Sequence, residues 1–294
     1  MTAAGRTLVI GATGQVGSSL LMQLGSSGAG LCRSDADFSN RIDLLRALDA
    51  IGPVQAVINA AAYNNVDGAE SERDEAFRIN ADLPGWIAEW AAAQEVPLVH
   101  YSTEYVFPDG NGTAWRESDA PAPLNAYGES KLAGERAVHQ AHGESIVIRT
   151  SWVYSAGARN FVRRVLDLAT LGNPLTMVSD QVGSPTDAAD LARATLTLLQ
   201  NKHQGEVMGD QLLHLAGSGS VNRAEFSRTI IEAGVHAGVI RSAVSVSEAS
   251  TGEQTSAARR PTNCVLDCSK ADALGLALTP WQESLTRVVR EMRA

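Results

Sequence analysis

The sequence predicts an α/β protein: a doubly wound parallel sheet with a smaller C-terminal part interleaved with it. Two observations carry this. Through the first half of the chain, short apolar runs alternate with helical patterns, and the runs are apolar at nearly every position, as strands covered on both faces must be. After residue 151 the rhythm loosens, and polar stretches separate isolated helices.

In order, "TLVIG" (7–11) reads as a strand, "QVGSSLLMQLGSS" (15–27) as a helix and "AGLCR" (29–33) as a second strand. "RIDLLRALDAIG" (41–52) is helical and "VQAVINA" (54–60) is a third strand. A long helical region covers 67–94. Pro84 should break it or start it afresh, because proline removes a hydrogen bond and crowds the preceding turn. "PLVHYST" (97–103) is a strand, 126–142 a helix and "SIVIRTS" (145–151) a strand. Beyond it, 160–172, 187–200 and 223–235 read as helices, while "LTMVSDQVGSPT" (175–186) and the polar stretch 245–263 read as loops. "TPWQESLTRVVREM" (279–292) closes as a helix, with Thr279 as cap and Pro280 in its first turn. The division is 1–155 for the doubly wound part and 156–294 mainly for the smaller part, some of whose segments return to the first core.

A chain of 294 residues buries a sizeable core without staples. Its net charge of −9 argues against nucleic acid or an anionic membrane as partner. No signal-peptide pattern and no bilayer-length apolar stretch are seen, so a cytoplasmic location is expected. Cys32, Cys264 and Cys268 are too few for a disulfide framework and read as free thiols. The "NGT" at Asn111 carries no meaning without secretion. His139 and His142 read as solvated, His100 as a core histidine, and Trp86 with Trp90 as one packing face. No metal-ligand spacing, HExxH, GxSxG or Walker loop is present.

"VIGATGQVGSSL" places Gly11, Gly14 and Gly17 between the first strand and the first helix. Such a loop turns sharply, lets a pyrophosphate approach backbone N–H groups and packs the helix on the strand. The helix N-terminus adds partial positive charge. The reading is a Rossmann-type dinucleotide-binding unit. The group that reads the adenine ribose should follow the second strand, among Arg33, Ser34, Asp35 and Asp37. Arg33 suits a 2′-phosphate and points to NADPH, with NADH as the alternative.

Tyr127 and Lys131 stand at i and i+4 and share a helix face. A free phenol titrates near pH 10, so it needs help to exchange protons at neutral pH, and an adjacent ammonium supplies it. Such a tyrosine can protonate a carbonyl oxygen while hydride reaches the carbonyl carbon. Thr103 ends a strand, where open α/β sheets line their ligand crevice, and would polarise that oxygen; its neighbour Ser102 points to the opposite face. Glycine loop, strand-end hydroxyl and Tyr-Lys pair together resemble the extended short-chain dehydrogenase/reductases.

"GATGQVG" (11–17), "NAAAYNNVDGAE" (59–70), "HYSTEYVFPDG" (100–110), "YGESKLAGE" (127–135), "RTSWVYS" (149–155), "DQVGSPT" (180–186) and "RRPTNCVLD" (259–267) resemble one branch, the dTDP-4-dehydrorhamnose reductases, almost end to end. The resemblance implies NADPH-dependent reduction of the 4-keto group of dTDP-4-dehydro-L-rhamnose for cell-surface polysaccharide. It also implies Thr103, Tyr127 and Lys131 as the catalytic set. Gln15 and Val16 would join the three glycines around the pyrophosphate, Asp37 and Phe38 would frame the adenine, and Ala60, Ala61, Ala62 and Tyr63 would line the cofactor. Asn64, Val66, Glu104, Tyr105, Phe107 and Trp152 would face the sugar. Gln181 with Arg259 or Arg260 would hold the nucleotide diphosphate, for which forked arginine donors are suited. Members of the branch are often dimers, and some bind magnesium, for which no ligands are assigned in this sequence. Two departures stand out: Glu104 where the branch usually has Asp, and Asn64-Asn65 in place of Thr-Ala, which bears on the exact sugar.

Three rival readings follow from the same residues. Related dehydratases carry Thr-Asp-Glu at the strand end, but here Tyr105 takes the third place, so the second carboxylate is missing. A sugar-nucleotide 4-epimerase, or another 4-ketoreductase, fits the catalytic set. A non-catalytic regulator, like the regulatory subunit of methionine adenosyltransferase, would bind NADPH without turning over any keto-sugar nucleotide.

Overall fold

The computed structural model describes residues 5–293 except 111, 158, 208, 210 and 254, so the sequon at Asn111 lies outside the described residues. The first half runs β1 (Arg6–Ile10), α1 (Gln15–Leu24), β2 (Gly28–Leu31), α2 (Arg41–Ile51), β3 (Val54–Asn59), α3 (Gly68–Ser71), α4 (Arg73–Phe77), α5 (Leu83–Ala93), β4 (Leu98–Thr103), α6 (Ala126–Ala141) and β5 (Ser145–Thr150). The second half runs β6 (Val153–Tyr154), α7 (Phe161–Thr170), β7 (Leu175–Val178), β8 (Val182–Gly183), β9 (Thr186–Asp187), α8 (Ala188–His203), β10 (Gln211–His214), β11 (Val221–Asn222), α9 (Arg223–His236), β12 (Val246–Ala249), β13 (Asn263–Cys264), α10 (Ser269–Asp272) and α11 (Trp281–Glu291).

The main sheet has the order β10-β5-β4-β3-β1-β2, and every pairing in it is parallel. Alternation along the strands sends side chains into two apolar layers. Val9, Ile58, Val99, Ile146 and Ile148 pack with Leu20 of α1 and Leu191 and Leu198 of α8. Leu8, Ile10, Val57, Leu98 and Val147 pack on the other face with α2, α5 and Val138 of α6. The chain reverses its direction of travel between β1 and β3, which opens a crevice at their C-terminal ends. A second core gathers α7, α9 and α11 around Phe226, Val165 and Leu285, beside the parallel pair β7–β12. α8 and β10 come from the second half yet complete the first core.

Several expectations are corrected. The stretch 175–186 contains β7, β8 and the first residue of β9, and 245–263 contains β12 and the first residue of β13. Most of these strands have two residues, too short to show a period, and their partners are distant in sequence. Pro84, by contrast, marks the fresh start expected of it: a π turn at Arg78–Asp82 leads into α5, whose first turn holds the proline where no N–H is missed. Pro280, not Thr279, caps α11, and its carbonyl accepts from the amides of Glu283 and Ser284. His142 is buried, with Nε2 2.7 Å from the Val96 carbonyl, whereas His100 is the core histidine expected, held by Asn59 Nδ2 at 3.1 Å. The three cysteines are unpaired. Among the described residues no helix is long and apolar enough to cross a membrane.

Helix α6 lies unusually close to its neighbours. A Cβ at Gly128 would sit 2.2 Å from the Tyr105 carbonyl oxygen, and one at Gly134 would sit 2.0 Å from that of Asn80 in the π turn. Both obstacles are backbone, so neither can swing aside. Gly134→Ala is therefore expected to destabilise the protein by on the order of 3 kcal/mol, read by urea unfolding. A variant as stable as the parent would show that the helix can shift freely.

Candidate active site

The C-terminal ends of β1, β3, β4 and β5 converge with the N-terminal end of α6 on a cleft of about 520 Å³. Gly14, Gln15 and Val16 form one wall, Ala60, Ala62, Asn64 and Val66 another, and Thr103, Glu104, Tyr105, Tyr127, Lys131 and Trp152 surround the far end. Thus the strand-end hydroxyl and the Tyr-Lys pair, distant in sequence, meet in one space with the glycine loop.

Asn125 caps α6, its Oδ1 accepting from Gly128 N at 2.8 Å, and this starts the helix at Ala126, one residue before Tyr127. Lys131 follows one turn on and is buried, its Nζ donating to the Tyr101 carbonyl at 2.6 Å. Burial lowers its pKa to about 8, against the opposing charge of Glu135. Burial pushes the Tyr127 phenol upward, with the Glu104 charge adding to the effect and the Thr103 hydroxyl opposing it. The phenol is therefore protonated at neutral pH. Thr103 Oγ1 accepts from Tyr105 N at 3.2 Å and donates to Glu104 Oε2 at 2.9 Å. Ser102, its neighbour, donates instead to Glu135 at 2.5 Å. Glu104 is only 4% exposed, and burial raises its carboxyl to about 7.

At the glycine loop, Gly11 adopts φ +83°, and a Cβ there would meet the Ala61 amide at 2.5 Å; one at Gly17 would meet the Gly11 carbonyl at 2.2 Å. These two glycines let the loop close on itself and on β3. Gly14 faces the cleft as the N-cap of α1 and no side chain caps that helix, so the first-turn N–H groups stay open to an anion. This arrangement fits a dinucleotide pyrophosphate. After β2, Asp35 accepts from Cys32 Sγ at 3.0 Å and Cys32 N at 2.8 Å, and Asp37 from Ser39 Oγ at 2.7 Å and Ser39 N at 2.9 Å, which lowers both pKa values. Arg33 is exposed and, among the described residues, forms no salt bridge.

Other residues lie elsewhere than expected. Phe38 is buried among Leu31, Leu44 and Leu48, in the core rather than the cleft. Phe107 is wholly buried, stacked on Trp115 with ring centroids 4.8 Å apart, and lies under Arg149. Ala61 packs into the core because it alternates with Ala60 and Ala62, and the Tyr63 hydroxyl donates to Glu72 at 2.5 Å. Gln181 and Arg260 line a second cavity of about 550 Å³, with Phe161, Met177 and Thr251. Arg259 lines neither cavity and pairs with Asp109 at 2.5 Å. Among the described residues no group of three His, Cys, Asp or Glu is placed to hold a metal ion.

Three residues were not anticipated. Arg159 and Arg223 line the cleft, but no motif marks them. Asn80 holds the segment after β3 by accepting from Tyr63 N at 2.9 Å, and reaches α6 by donating to Ser130 Oγ at 3.0 Å. An asparagine inside a helical pattern is the only local signal it leaves.

The family model described as the RmlD substrate binding domain matches residues 5–294. The dTDP-4-dehydrorhamnose reductase of Escherichia coli K12 is 36% identical over 294 residues, covering 97% of each chain. That of Sinorhizobium fredii is 36% identical over 263 residues, covering 88% of this chain and 87% of the relative. The crystal structure of the Bacillus anthracis dTDP-4-dehydrorhamnose reductase in complex with NADP superposes with a TM-score of 0.88 at 31% identity, covering 97% of this chain and 99% of that one. The chain belongs to the dTDP-4-dehydrorhamnose reductase family.

The buried Glu104 makes a stability prediction. Its folded pKa is raised, so the native state holds this proton longer than the unfolded chain does. Stability from this group falls as pH rises from about 4.5 to about 7 and is flat above. The shift corresponds to up to roughly 3 kcal/mol. The stability difference between the parent and Glu104→Gln should change by that order across this window, in favour of the variant at higher pH. Parallel stability curves would show that Glu104 ionises freely.

Proposed function

We propose that this chain reduces the 4-keto group of dTDP-4-dehydro-L-rhamnose to dTDP-L-rhamnose, using NADPH. The observation that carries the reading is the meeting of Thr103, Tyr127 and Lys131 at the end of a cleft whose other end is the open N-terminus of α1. NADPH, when bound, supplies the hydride for the C4 carbon. The NADP in the Bacillus anthracis relative and the exposed Arg33 support this cofactor over NADH. The backbone of Gly14, Gln15 and Val16 takes the cofactor pyrophosphate, and Ala60 and Ala62 flank its path to the catalytic set.

Tyr127 gives its proton to the C4 oxygen as negative charge develops there. The Lys131 ammonium, fixed on the Tyr101 carbonyl, stabilises the phenolate that remains. Thr103 polarises the same oxygen. In the structure its proton goes to Glu104, and protonation of Glu104, which titrates at about 7, frees the hydroxyl to donate to substrate. Asn64, Val66, Tyr105 and Trp152 enclose the sugar, and Gln181 and Arg260 border the nucleotide. With Tyr105 where a dehydratase has a second carboxylate, elimination lacks a partner for Glu104.

The test is NADPH oxidation, followed by near-ultraviolet absorbance, with the 4-keto sugar nucleotide generated in situ. Oxidation dependent on that sugar is expected, and NADPH binding without turnover would sink the reading. Tyr127→Phe should cost roughly 10²–10⁴-fold in kcat with NADPH affinity unchanged. A near-parental rate would remove Tyr127 from the role of proton donor.

A further inference from the structure

We infer that Arg223 binds the diphosphate of the sugar nucleotide, at the junction between its sugar and nucleoside chambers. The inference rests on the reduction proposed above. The molecule has two neighbouring cavities, the cleft that holds Tyr127 and the second cavity lined by Gln181 and Phe161. Among the described residues, Arg223 is the one that lines both. A 4-keto sugar must sit beside Tyr127, and the cofactor occupies the rest of that cleft toward the glycine loop. The nucleoside is left with the second cavity, where Phe161, Pro174 and Met177 offer apolar surface to a base. The diphosphate that joins the two chambers must then pass Arg223.

The surroundings of Arg223 suit that task. Its guanidinium carbon lies 3.3 Å from the centroid of the Trp152 ring and 4.7 Å from that of Phe161. Stacking occupies the faces of the guanidinium and leaves its in-plane N–H donors for an anion. The platform is built at a cost: Trp152 adopts φ +45°, a left-handed conformation unfavourable for a bulky residue, and only a glycine at 183 leaves room for the ring, since a Cβ there would lie 2.5 Å from it.

The charge bookkeeping is equally selective. Arg259 is neutralised by Asp109, and Arg260 by Asp67 at 2.7 Å. Arg223 forms no salt bridge among the described residues. Burial works against its charge and Arg260 adds repulsion, while the Glu104 carboxylate offsets this only in part. A positively charged group held this way, with no carboxylate in ion-pair contact among the described residues, is completed by a ligand anion.

The experiment compares the parent with Arg223→Gln and Arg223→Lys. Calorimetry gives affinities for dTDP, thymidine and NADPH, and the reductase assay gives KM and kcat. In Arg223→Gln, KM for the sugar nucleotide and Kd for dTDP should rise together, by roughly 10- to 100-fold. Thymidine and NADPH binding should hold, the latter proving that the variant is folded. Arg223→Lys, which keeps the charge but loses the fork, should fall between. A dTDP affinity within about twofold of the parent overturns the assignment, and so does an equal loss for thymidine, which would make Arg223 a wall for the base. Turnover by the parent tests the reductase reading separately: a parent that binds dTDP through Arg223 but reduces no keto sugar leaves this inference standing and ends the other.

Discussion

Everything in the candidate site depends on how one face of α6 is held on the sheet. Tyr127, Lys131 and Glu135 succeed one another at i, i+4 and i+8, so they share that face. Lys131 is tied to the Tyr101 carbonyl. One turn further, Glu135 accepts both Nε and Nη2 of Arg149, at 2.8 and 2.6 Å, and also the Ser102 hydroxyl. Tyr101 and Ser102 belong to β4 and Arg149 to β5, so the helix is pinned to two adjacent strands. All these groups are buried, where removing one member of an ion pair typically costs about 3–5 kcal/mol. Tyr127 is thereby set beside Thr103 by a support that lies beneath the chemistry.

A steric rule bounds that same face of α6, because Gly128 and Gly134 lie at its two edges. Gly128 and Gly134 bring its backbone against the carbonyls of Tyr105 and Asn80, and Asn80 in turn grips the chain leaving β3. The sugar side and the cofactor side of the cleft are thus referenced to the same helix. The glycine loop repeats the device at the opposite wall, where Gly11 and Gly17 remove the side chains that would hold the loop open. Preorganisation of this kind lowers the cost of binding, because little remains to be ordered when a ligand arrives.

An acidic protein that takes two phosphorylated ligands must supply its positive potential locally. The net charge of −9 offers no general attraction. The open N-terminus of α1 contributes backbone N–H groups, and the arginines near the second cavity contribute forked donors. Their partners sort them: Asp109 and Asp67 occupy Arg259 and Arg260, whereas aromatic rings hold Arg223 in place and leave its charge unspent.

The sequence by itself determined the strand–helix alternation, the glycine loop and the Thr103, Tyr127 and Lys131 set. Each of these is written in local terms: apolar periodicity, the backbone freedom of glycine, and a four-residue helical spacing. Local terms do not say which face of an element meets the core. Phe38, where the resemblance expects the adenine to be framed, and Phe107, within one of the telling stretches, both belong to the core, and Ala61 turns inward between two alanines that face the cleft. They also miss strands of two residues such as β8, β9 and β13, whose pairing is entirely long-range. The burial of His142, the Glu135–Arg149 pair and the place of Arg223 were decided only by the tertiary structure. Arg223 opens a helix with nothing chemical around it in sequence. Its meaning comes from Trp152 and Phe161, which the fold brings to it from more than sixty residues away. Contacts between segments so far apart depend on how the two cores pack against each other, which no short window of residues encodes.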